Sequence, residues 1–172
     1  LFLTKINPDK NQLGKKLAKM EFGTSTGRQR MVGWFDAVEK GNALRYGGFD
    51  WLVINKLDAL SALNEESDKL KICISYTNDS GEMITNVPRS EKARRSLSPV
   101  YIQLPVWKED ISRCKNFTDL PVEAKNYVRK MITSICEVAY GENWANKRLP
   151  ELLYIGVGPN PGQVIQNLPP VA

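Results

Sequence analysis

Residues 21–36, EFGTSTGRQRMVGWFD, concentrate groups that can bind an anion. Gly23 and Gly27 flank three hydroxyl residues, and glycine adopts backbone conformations that side-chain-bearing residues resist. Arg28 and Arg30 follow directly. A guanidinium group can donate two parallel hydrogen bonds to one carboxylate or phosphate. The pattern therefore predicts a loop that grips a small anionic ligand.

A second candidate is Asn55-Lys56-Leu57-Asp58, which follows the apolar run FDWLVI over 49–54. We predict a short buried strand for that run, and open α/β sheets bind ligands where such strands end. One carboxylate there can accept both the N1–H and the N2–H₂ donors of guanine, whereas adenine would leave it unpaired. The alternative for these four residues is an ordinary strand-to-helix loop with a capping aspartate.

The segment Ile155-Gly156-Val157-Gly158-Pro159 ends the last long predicted strand. Glycines at a strand end allow a flat ligand to approach the backbone closely. A plain Gly-Pro turn is the alternative. Beside a base-recognising carboxylate, however, the segment would complete a purine pocket.

Two absences limit what this chain can do by itself. It contains no histidine, so it supplies no histidine base or metal ligand, and it lacks the GxxxxGK[ST] phosphate loop. Base recognition without a phosphate loop indicates that the other half of the site lies elsewhere in a longer chain. The chain begins at Leu1, which fits either processing or a segment of a larger protein.

Length and composition predict one α/β domain. The 172 residues are 42% hydrophobic and 25% charged, as is ordinary for a globular protein, and no apolar run approaches the length of a membrane span. The net charge of +5 suits nucleotides, other anionic small molecules or nucleic acid. Three dispersed cysteines, Cys73, Cys114 and Cys136, predict free thiols in a reducing compartment.

The elements that must position these residues are a mixture of helices and strands. Asp36 is predicted to cap a helix ending at Gly47-Gly48, and Pro121 to open a long helix with one apolar face. A β-hairpin is predicted around the turn at 78–81. The predicted strands are 49–54, 70–76, 82–87, 101–106, 152–157 and a short one at 164–165, with a polar basic connection over 88–98 and a loop over 143–150.

These segments resemble one enzyme family, adenylosuccinate synthetase. EFGTSTGRQRMVGWFD resembles its aspartate-binding loop, usually close to EFGATTGRxRRxGWxD, and NKLDALSAL resembles its guanine-recognition segment TKLDVLDG. PVYIQLPVWKEDI, FTDLPVEAKNYV and YIGVGPNPGQVI resemble further family segments in the same order. The resemblance covers nearly the whole chain, and it implies that residues 1–172 are one C-terminal segment of the family's polypeptide.

The resemblance implies the C-terminal portion of a P-loop-NTPase-like fold, a mixed sheet with a hairpin and flanking helices. The family is a cytoplasmic, homodimeric ligase of purine and AMP biosynthesis. It joins IMP to L-aspartate while GTP is hydrolysed to GDP and phosphate, with Mg²⁺. Its phosphate loop, catalytic Asp, catalytic His and Mg²⁺ ligands belong to the N-terminal part, absent from this chain. The segment alone is therefore expected to be inactive and to hold no catalytic residue and no metal.

By the same resemblance, the loop over 21–31 binds substrate and the segments 55–58 and 156–158 bind guanine. Arg28 would also reach the IMP ribose, and Arg30 would also lie near GTP. The aspartate-binding residues would be Thr24, Ser25, Thr26, Gly27, Arg28, Gln29 and Arg30, and the other GTP-binding residues Lys56, Leu57, Asp58, Gly156, Val157 and Gly158. The chain departs from the family pattern at Gln29, Ser61, Gly156 and Asn160-Pro161.

Two other function classes compete with this interpretation. A stand-alone GTP-binding regulatory domain would need a phosphate loop and a switch threonine in the same chain. A nucleic-acid-binding module could use Arg89, Lys92, Arg94 and Arg95, although we interpret that cluster as a solvated loop. The resemblance favours the enzyme, with IMP, L-aspartate and GTP as ligands and without a nucleic-acid or membrane partner.

Overall fold

The computed structural model describes residues 3–8, 10, 12–61 and 69–170. Helices and strands alternate irregularly along the chain. Their order is α1 (Gln12–Met20), β1 (Phe35–Asp36), α2 (Ala37–Gly47), β2 (Trp51–Ile54), β3 (Lys69–Thr77), β4 (Met83–Ile84), α3 (Glu91–Arg95), β5 (Ser98–Pro105), α4 (Val122–Tyr140), β6 (Glu151–Gly156) and β7 (Val164–Ile165).

The longest strand, β3, organises a four-stranded mixed sheet. It pairs in parallel with β1, with Phe35 beside Ile72, and antiparallel with β4. Along its other edge β3 pairs antiparallel with β5, with a register shift between Cys73 and Ser75. The hairpin predicted around residues 78–81 is confirmed, since Gly81 N–H donates to the Asn78 carbonyl oxygen at 2.9 Å.

A second, three-stranded sheet is built on β6, which pairs in parallel with β2 and antiparallel with β7. The predicted mixed α/β class is confirmed, and the strands divide between two sheets. The predicted burial of the 49–54 strand is wrong, because the side chains of Trp51 and Val53 are 60% and 41% exposed. Only alternate residues, Leu52 and Ile54, pack against the core.

Helix α4 forms the centre of the hydrophobic core, as its sequence predicts. Pro121 is its N-cap, and the fixed φ of proline suits the start of a helix. Burying each large apolar side chain contributes about 1.5–3 kcal/mol, so this face anchors the fold. The apolar residues of the predicted face are all buried: Ala124, Tyr127, Val128, Met131, Ile132, Ile135 and Ala139.

Arg45 fastens α2 to the C-terminal end of α4. Its guanidinium donates to the carbonyl oxygens of Ala139, at 2.9 Å, and of Val138. It also donates to the side-chain oxygen of Asn86 at 2.8 Å. The last carbonyls of a helix have no partner within the helix and carry the negative end of its dipole. The Arg45 side chain therefore provides hydrogen-bond donors for two terminal carbonyls of α4 and holds the two helices together.

Several element boundaries differ from the sequence prediction. The predicted strand 82–87 is reduced to the two residues of β4, and β5 begins at Ser98 rather than at 101. The basic connection contains the short helix α3, capped by the Ser90 hydroxyl, which accepts from Ala93 N–H at 3.1 Å. A 3-10 turn, Trp144–Asn146, lies within the predicted loop 143–150.

The three cysteines are free thiols, as predicted. Burial raises the pKa of Cys73 to about 12 and that of Cys136 to about 11. Because the thiolate is the reactive form, these two thiols are inert core residues at neutral pH.

Asp36 is the predicted N-cap of α2, and it also joins that helix to β3. One carboxylate oxygen accepts from the N–H groups of Val38, at 3.1 Å, and Glu39, at 3.0 Å. The other accepts from the Tyr76 hydroxyl at 2.5 Å. Burial raises the pKa of Asp36, and burial together with this hydrogen bond raises the pKa of Tyr76. The carboxyl group is thus fully engaged by the fold.

We predict that Asp36→Ala lowers the free energy of unfolding by about 2–4 kcal/mol, because it removes a helix cap and leaves the buried Tyr76 hydroxyl unpaired. Urea unfolding followed by tryptophan fluorescence measures this. Ser90→Ala is the matched control, since it removes a cap from an exposed helix only. Equal losses in the two variants would contradict the linking role of Asp36.

Candidate functional site

The hydroxyl and arginine residues lie at the tip of a small hairpin. Its base is an antiparallel bridge between Phe22 and Gln29, and Arg30 N–H donates to the Glu21 carbonyl oxygen at 2.9 Å. Gly23 N–H donates to the Arg28 carbonyl oxygen at 2.8 Å. Gly27 has a φ of 61°, the left-handed region that favours glycine. The hairpin thus gives the loop a defined shape from backbone contacts alone.

The residues at this tip are exposed, and one side-chain hydrogen bond lies within it. Thr26 Oγ1 accepts from the Arg28 N–H at 3.4 Å. Their exposure leaves hydroxyl and guanidinium groups accessible to a ligand. The exposed residues are Thr24, Ser25, Thr26, Gly27, Arg28, Gln29 and Arg30.

The two segments predicted to hold guanine lie side by side. Parallel pairing of β2 and β6 sets Ile54 beside Ile155, which places Asn55 next to Gly156. A Cβ atom on Gly156 would lie 3.4 Å from Asn55 Oδ1 and 3.6 Å from Lys56 N. Gly156 is buried and these distances are ordinary van der Waals contacts, so the two segments pack closely against each other here.

Lys56 adopts an unusual backbone conformation at the start of the second segment. Its φ of 60° and ψ of 36° are left-handed, and it is the only non-glycine residue with positive φ among those the structure describes. For an L-residue this conformation costs about 1–2 kcal/mol. Such strain persists where surrounding contacts hold it, and it is concentrated at functional sites.

The residues after Lys56 form a tight turn, Leu57–Leu60, that is anchored in the core. Leu57 is 2% exposed, so its side chain belongs to the core and only its backbone could meet a ligand. Ser61 donates to the Asp58 carbonyl oxygen through its N–H, at 3.1 Å, and its hydroxyl, at 2.7 Å. Residues 62–63, the end of the matched segment NKLDALSAL, lie outside the described residues.

Asp58 carries the most informative polar atom of the site. Its Oδ1 is buried and has no hydrogen-bond partner among the described residues. Leaving a buried acceptor unpaired costs about 1–3 kcal/mol, and more for a charged group. A ligand that brings N–H donors to this oxygen would recover that cost.

The third segment ends in a closed turn. Val157 is buried, and its N–H donates to the Gln163 carbonyl oxygen at 2.9 Å. The Gln163 side chain accepts from Asn160 N–H at 3.0 Å and crowds Gly158, where a Cβ atom would lie 2.4 Å from its Oε1. Asn160 and Pro161, which depart from the family pattern, belong to this turn and lie at the surface.

The sequence analysis placed Glu21 in the substrate loop over 21–31 but predicted no role for it. Its carboxylate pairs with Lys56 Nζ and lies 3.8 Å from Arg30 Nη1. These three side chains line a cavity of about 420 Å³ between the hairpin and the turn. Glu21 directly precedes the hairpin, but its contact with a residue 35 positions away has no signal in the sequence.

Other features bear on the competing function classes. Two of the four cations in the 89–95 cluster are engaged locally: Arg94 donates to the Pro88 carbonyl oxygen at 2.6 Å, and Arg95 pairs with Glu91 at 2.7 Å. In the described part of the chain, no three acidic or cysteine side chains come together to hold a metal ion. No helix over the same residues is long and apolar enough to cross a membrane.

The fold and the site define a class, namely α/β proteins with candidate ligand groups at the carboxyl ends of paired parallel strands. A family profile described as adenylosuccinate synthetase matches residues 2–141. The chain therefore belongs to the adenylosuccinate synthetase family, as the sequence resemblance predicts.

Individual relatives agree with the family match. The chain is 41% identical over 150 residues to adenylosuccinate synthetase of Lacticaseibacillus casei strain BL23, covering 86% of the chain and 31% of that relative. It is 44% identical over 111 residues to the enzyme of Lactococcus lactis subsp. cremoris strain SK11, covering 64% and 25%.

The fold is similar to a solved structure described as fully ligated adenylosuccinate synthetase from Plasmodium falciparum. The TM-score is 0.78 at 32% identity, and the match covers 98% of this chain and 36% of that one. The chain thus spans about a quarter to a third of the length of these relatives.

Proposed function

We propose that this segment supplies aspartate, IMP-ribose and guanine recognition to a GDP-forming ligase that makes adenylosuccinate from IMP and L-aspartate. The observation that carries the proposal is Asp58 Oδ1, which is buried and has no hydrogen-bond partner among the described residues, in the turn that follows the paired strand ends. Membership in the family supports the reaction class. In this reaction the γ-phosphoryl group of GTP passes to O6 of IMP, and the aspartate amine then displaces phosphate at C6 and loses a proton.

For aspartate, we assign the hairpin tip over 24–30. Its exposed hydroxyls and backbone N–H groups suit carboxylate oxygens, and Arg28 and Arg30 can each form bidentate pairs. Holding both carboxylates orients the amine toward C6, and such orientation is worth several kcal/mol of the barrier. Arg28 would also contact the IMP ribose, and Arg30 would also approach GTP.

For guanine, we assign the wall formed by residues 55–58 and 156–158. The Asp58 carboxylate accepts the N1–H and N2–H₂ donors, and the flat base lies at the strand end beside Gly156, which has no side chain to interfere. The Lys56 stem can cover the base while its ammonium group stays hydrated. Leu57 and Val157 contribute through their backbones, because their side chains are buried.

The remaining requirements of the reaction fall to polypeptide outside this segment. The chain has no histidine and no phosphate loop. The described residues offer no Mg²⁺ site, so the residues here do not fit that ion. We assign the phosphate loop, catalytic groups and Mg²⁺ ligands to the rest of the family's polypeptide, within a cytoplasmic homodimer. Arg94 and Arg95 stabilise a surface turn in this proposal and bind no nucleic acid.

We predict that the 172-residue chain alone makes no adenylosuccinate, because it lacks histidine and a phosphate loop. The test incubates a fragment of verified mass with IMP, aspartate, GTP and Mg²⁺ and follows product absorbance. The full-length enzyme containing this segment is the positive control. Turnover by the verified fragment would refute the division of roles.

In the full-length enzyme, we predict that Arg30→Leu raises the KM for aspartate about ten- to hundredfold and leaves the KM for IMP nearly unchanged. Losing a charge-assisted hydrogen bond costs about 1.5–3 kcal/mol, which corresponds to this range. Steady-state kinetics with each substrate varied in turn measures both constants. Arg95→Leu, which removes a surface arginine, is the control. An unchanged aspartate KM would show that the loop binds another ligand.

We predict that Asp58→Asn exchanges the preference for GTP for a preference for XTP. The amide presents a donor to the N2–H₂ donor of guanine, whereas xanthine has a carbonyl oxygen at C2 that can accept from it. A mismatched buried pair costs about 1–3 kcal/mol, so the KM for GTP should rise about ten- to hundredfold.

Kinetics of this variant with GTP and with XTP decide the assignment, and the constants for IMP and aspartate serve as internal controls. Equal loss of both nucleotides would make Asp58 a structural residue. Wild-type affinity for GTP would refute guanine binding by residues 55–58.

A further inference from the structure

Glu21 joins the two predicted subsites through one carboxylate group. One oxygen, Oε1, accepts from Lys56 Nζ, and the other, Oε2, lies 3.8 Å from Arg30 Nη1. Lys56 begins the turn assigned to guanine, and Arg30 ends the hairpin assigned to aspartate. Each oxygen thus faces a cation from a different subsite.

The three partners differ in their exposure to solvent. The Glu21 side chain is 20% exposed, whereas those of Arg30 and Lys56 are 60% and 62% exposed. The carboxylate is the sheltered member, and the two cations line the same cavity but are open to solvent. A ligand can therefore reach both cations while Glu21 remains in place.

The backbone of Glu21 is held in position by its neighbours. Its N–H donates to the Ala18 carbonyl oxygen at 3.4 Å, at the end of α1, and its carbonyl oxygen accepts from Arg30 N–H at 2.9 Å. The carboxylate is thus attached where the helix meets the base of the hairpin. A fixed anion at this point defines where two long, flexible cations rest.

The ion pair with Glu21 involves the residue that has the unusual left-handed backbone, Lys56. This conformation costs free energy, and the turn that carries Asp58 follows directly. The ion pair with Glu21 gives Lys56 a tertiary contact in that conformation. Loss of the contact would loosen the turn at the position where guanine is to be read.

We propose that Glu21 is a positioning residue that couples the aspartate loop to the guanine turn, an inference that rests on the proposed function. The shared carboxylate holds both cations, so a ligand that orders Arg30 also orders Glu21 and, through it, Lys56. Guanine binding then meets a better ordered turn. By thermodynamic linkage, GTP improves aspartate binding by the same factor.

The test uses the full-length enzyme containing this segment, with Glu21→Gln as an isosteric change that removes the charge. We expect the KM values for aspartate and for GTP each to rise about three- to tenfold, with the KM for IMP and kcat within about twofold of wild type. Glu21→Asp, which keeps the charge at shorter reach, should restore part of the loss. A merely structural role would lower kcat through the folded fraction and leave all KM values unchanged.

Glu91→Gln is the matched control, because it also removes a carboxylate that pairs with an arginine, but on the surface helix α3. Its KM values should equal those of wild type. If Glu21→Gln fails to fold, Glu21→Asp is measured instead, and its KM values for aspartate and for GTP should rise by smaller factors.

Double variants separate the two arms of the coupling. In a Lys56→Met background, Glu21→Gln should no longer raise the KM for GTP but should still raise that for aspartate, and in an Arg30→Leu background the reverse should hold. If the changes in KM are additive in both double variants, or if the KM values of Glu21→Gln equal those of wild type, the role of Glu21 is overturned. The proposed function still stands in that case, provided that the wild-type enzyme turns over. Absence of wild-type turnover would overturn the proposed function and the coupling together.

Discussion

The parallel pairing of β2 with β6 is the constraint on which the candidate site depends. It fixes residues 51–54 against 151–155, although about a hundred residues separate these strands in the sequence. Bringing the two strands together costs loop-closure entropy, which is recovered only when both pack against the same core. Because the strands run in the same direction, their carboxyl ends meet at one edge. Asn55 and Gly156 adjoin there, and neither segment alone could form that wall.

The segments at this edge combine core anchors with accessible groups. Leu57, Ile155 and Val157 are buried against the core that α4 organises, whereas Lys56 and the turn after Val157 extend to the surface. Arg45 in turn fixes α2 to the end of α4, and Asp36 fixes the start of α2 to β3. Lys56 directly precedes the buried Leu57, and the surface turn directly follows the buried Val157. This alternation lets a loop present polar groups in a defined geometry without regular secondary structure of its own.

Local sequence patterns correctly predicted the helices and turns that are determined by residues close together in the sequence. The helix α4 follows from Pro121 and a 3.6-residue apolar period, the cap of α2 from Asp36, and the hairpin from the turn at 78–81. Local patterns failed where tertiary contacts determine which side chains are buried and which distant residues meet. The run FDWLVI is apolar, yet Trp51 and Val53 face outward, because an apolar run does not reveal which face is covered. The two-residue β1 is too short for any period, and the contact between Glu21 and Lys56 exists only after folding.

The candidate site contains a protein carboxylate, Glu21, although all of its proposed ligands are anions, and the charges of the neighbouring residues explain why. On the proposed function, Arg28, Arg30 and Lys56 attract IMP, aspartate and GTP, and cations without a counterion would repel one another and sample many rotamers. Glu21 orders two of them from a sheltered position, so part of the entropic cost of binding is met before any ligand arrives. Asp58 acts differently, since its buried oxygen has no hydrogen-bond partner among the described residues and, on the proposed function, gains one from a matching donor of the ligand. In this proposal the cations attract the anionic ligands, and Asp58 selects guanine. Glu21 couples aspartate binding at the hairpin to guanine binding at the turn.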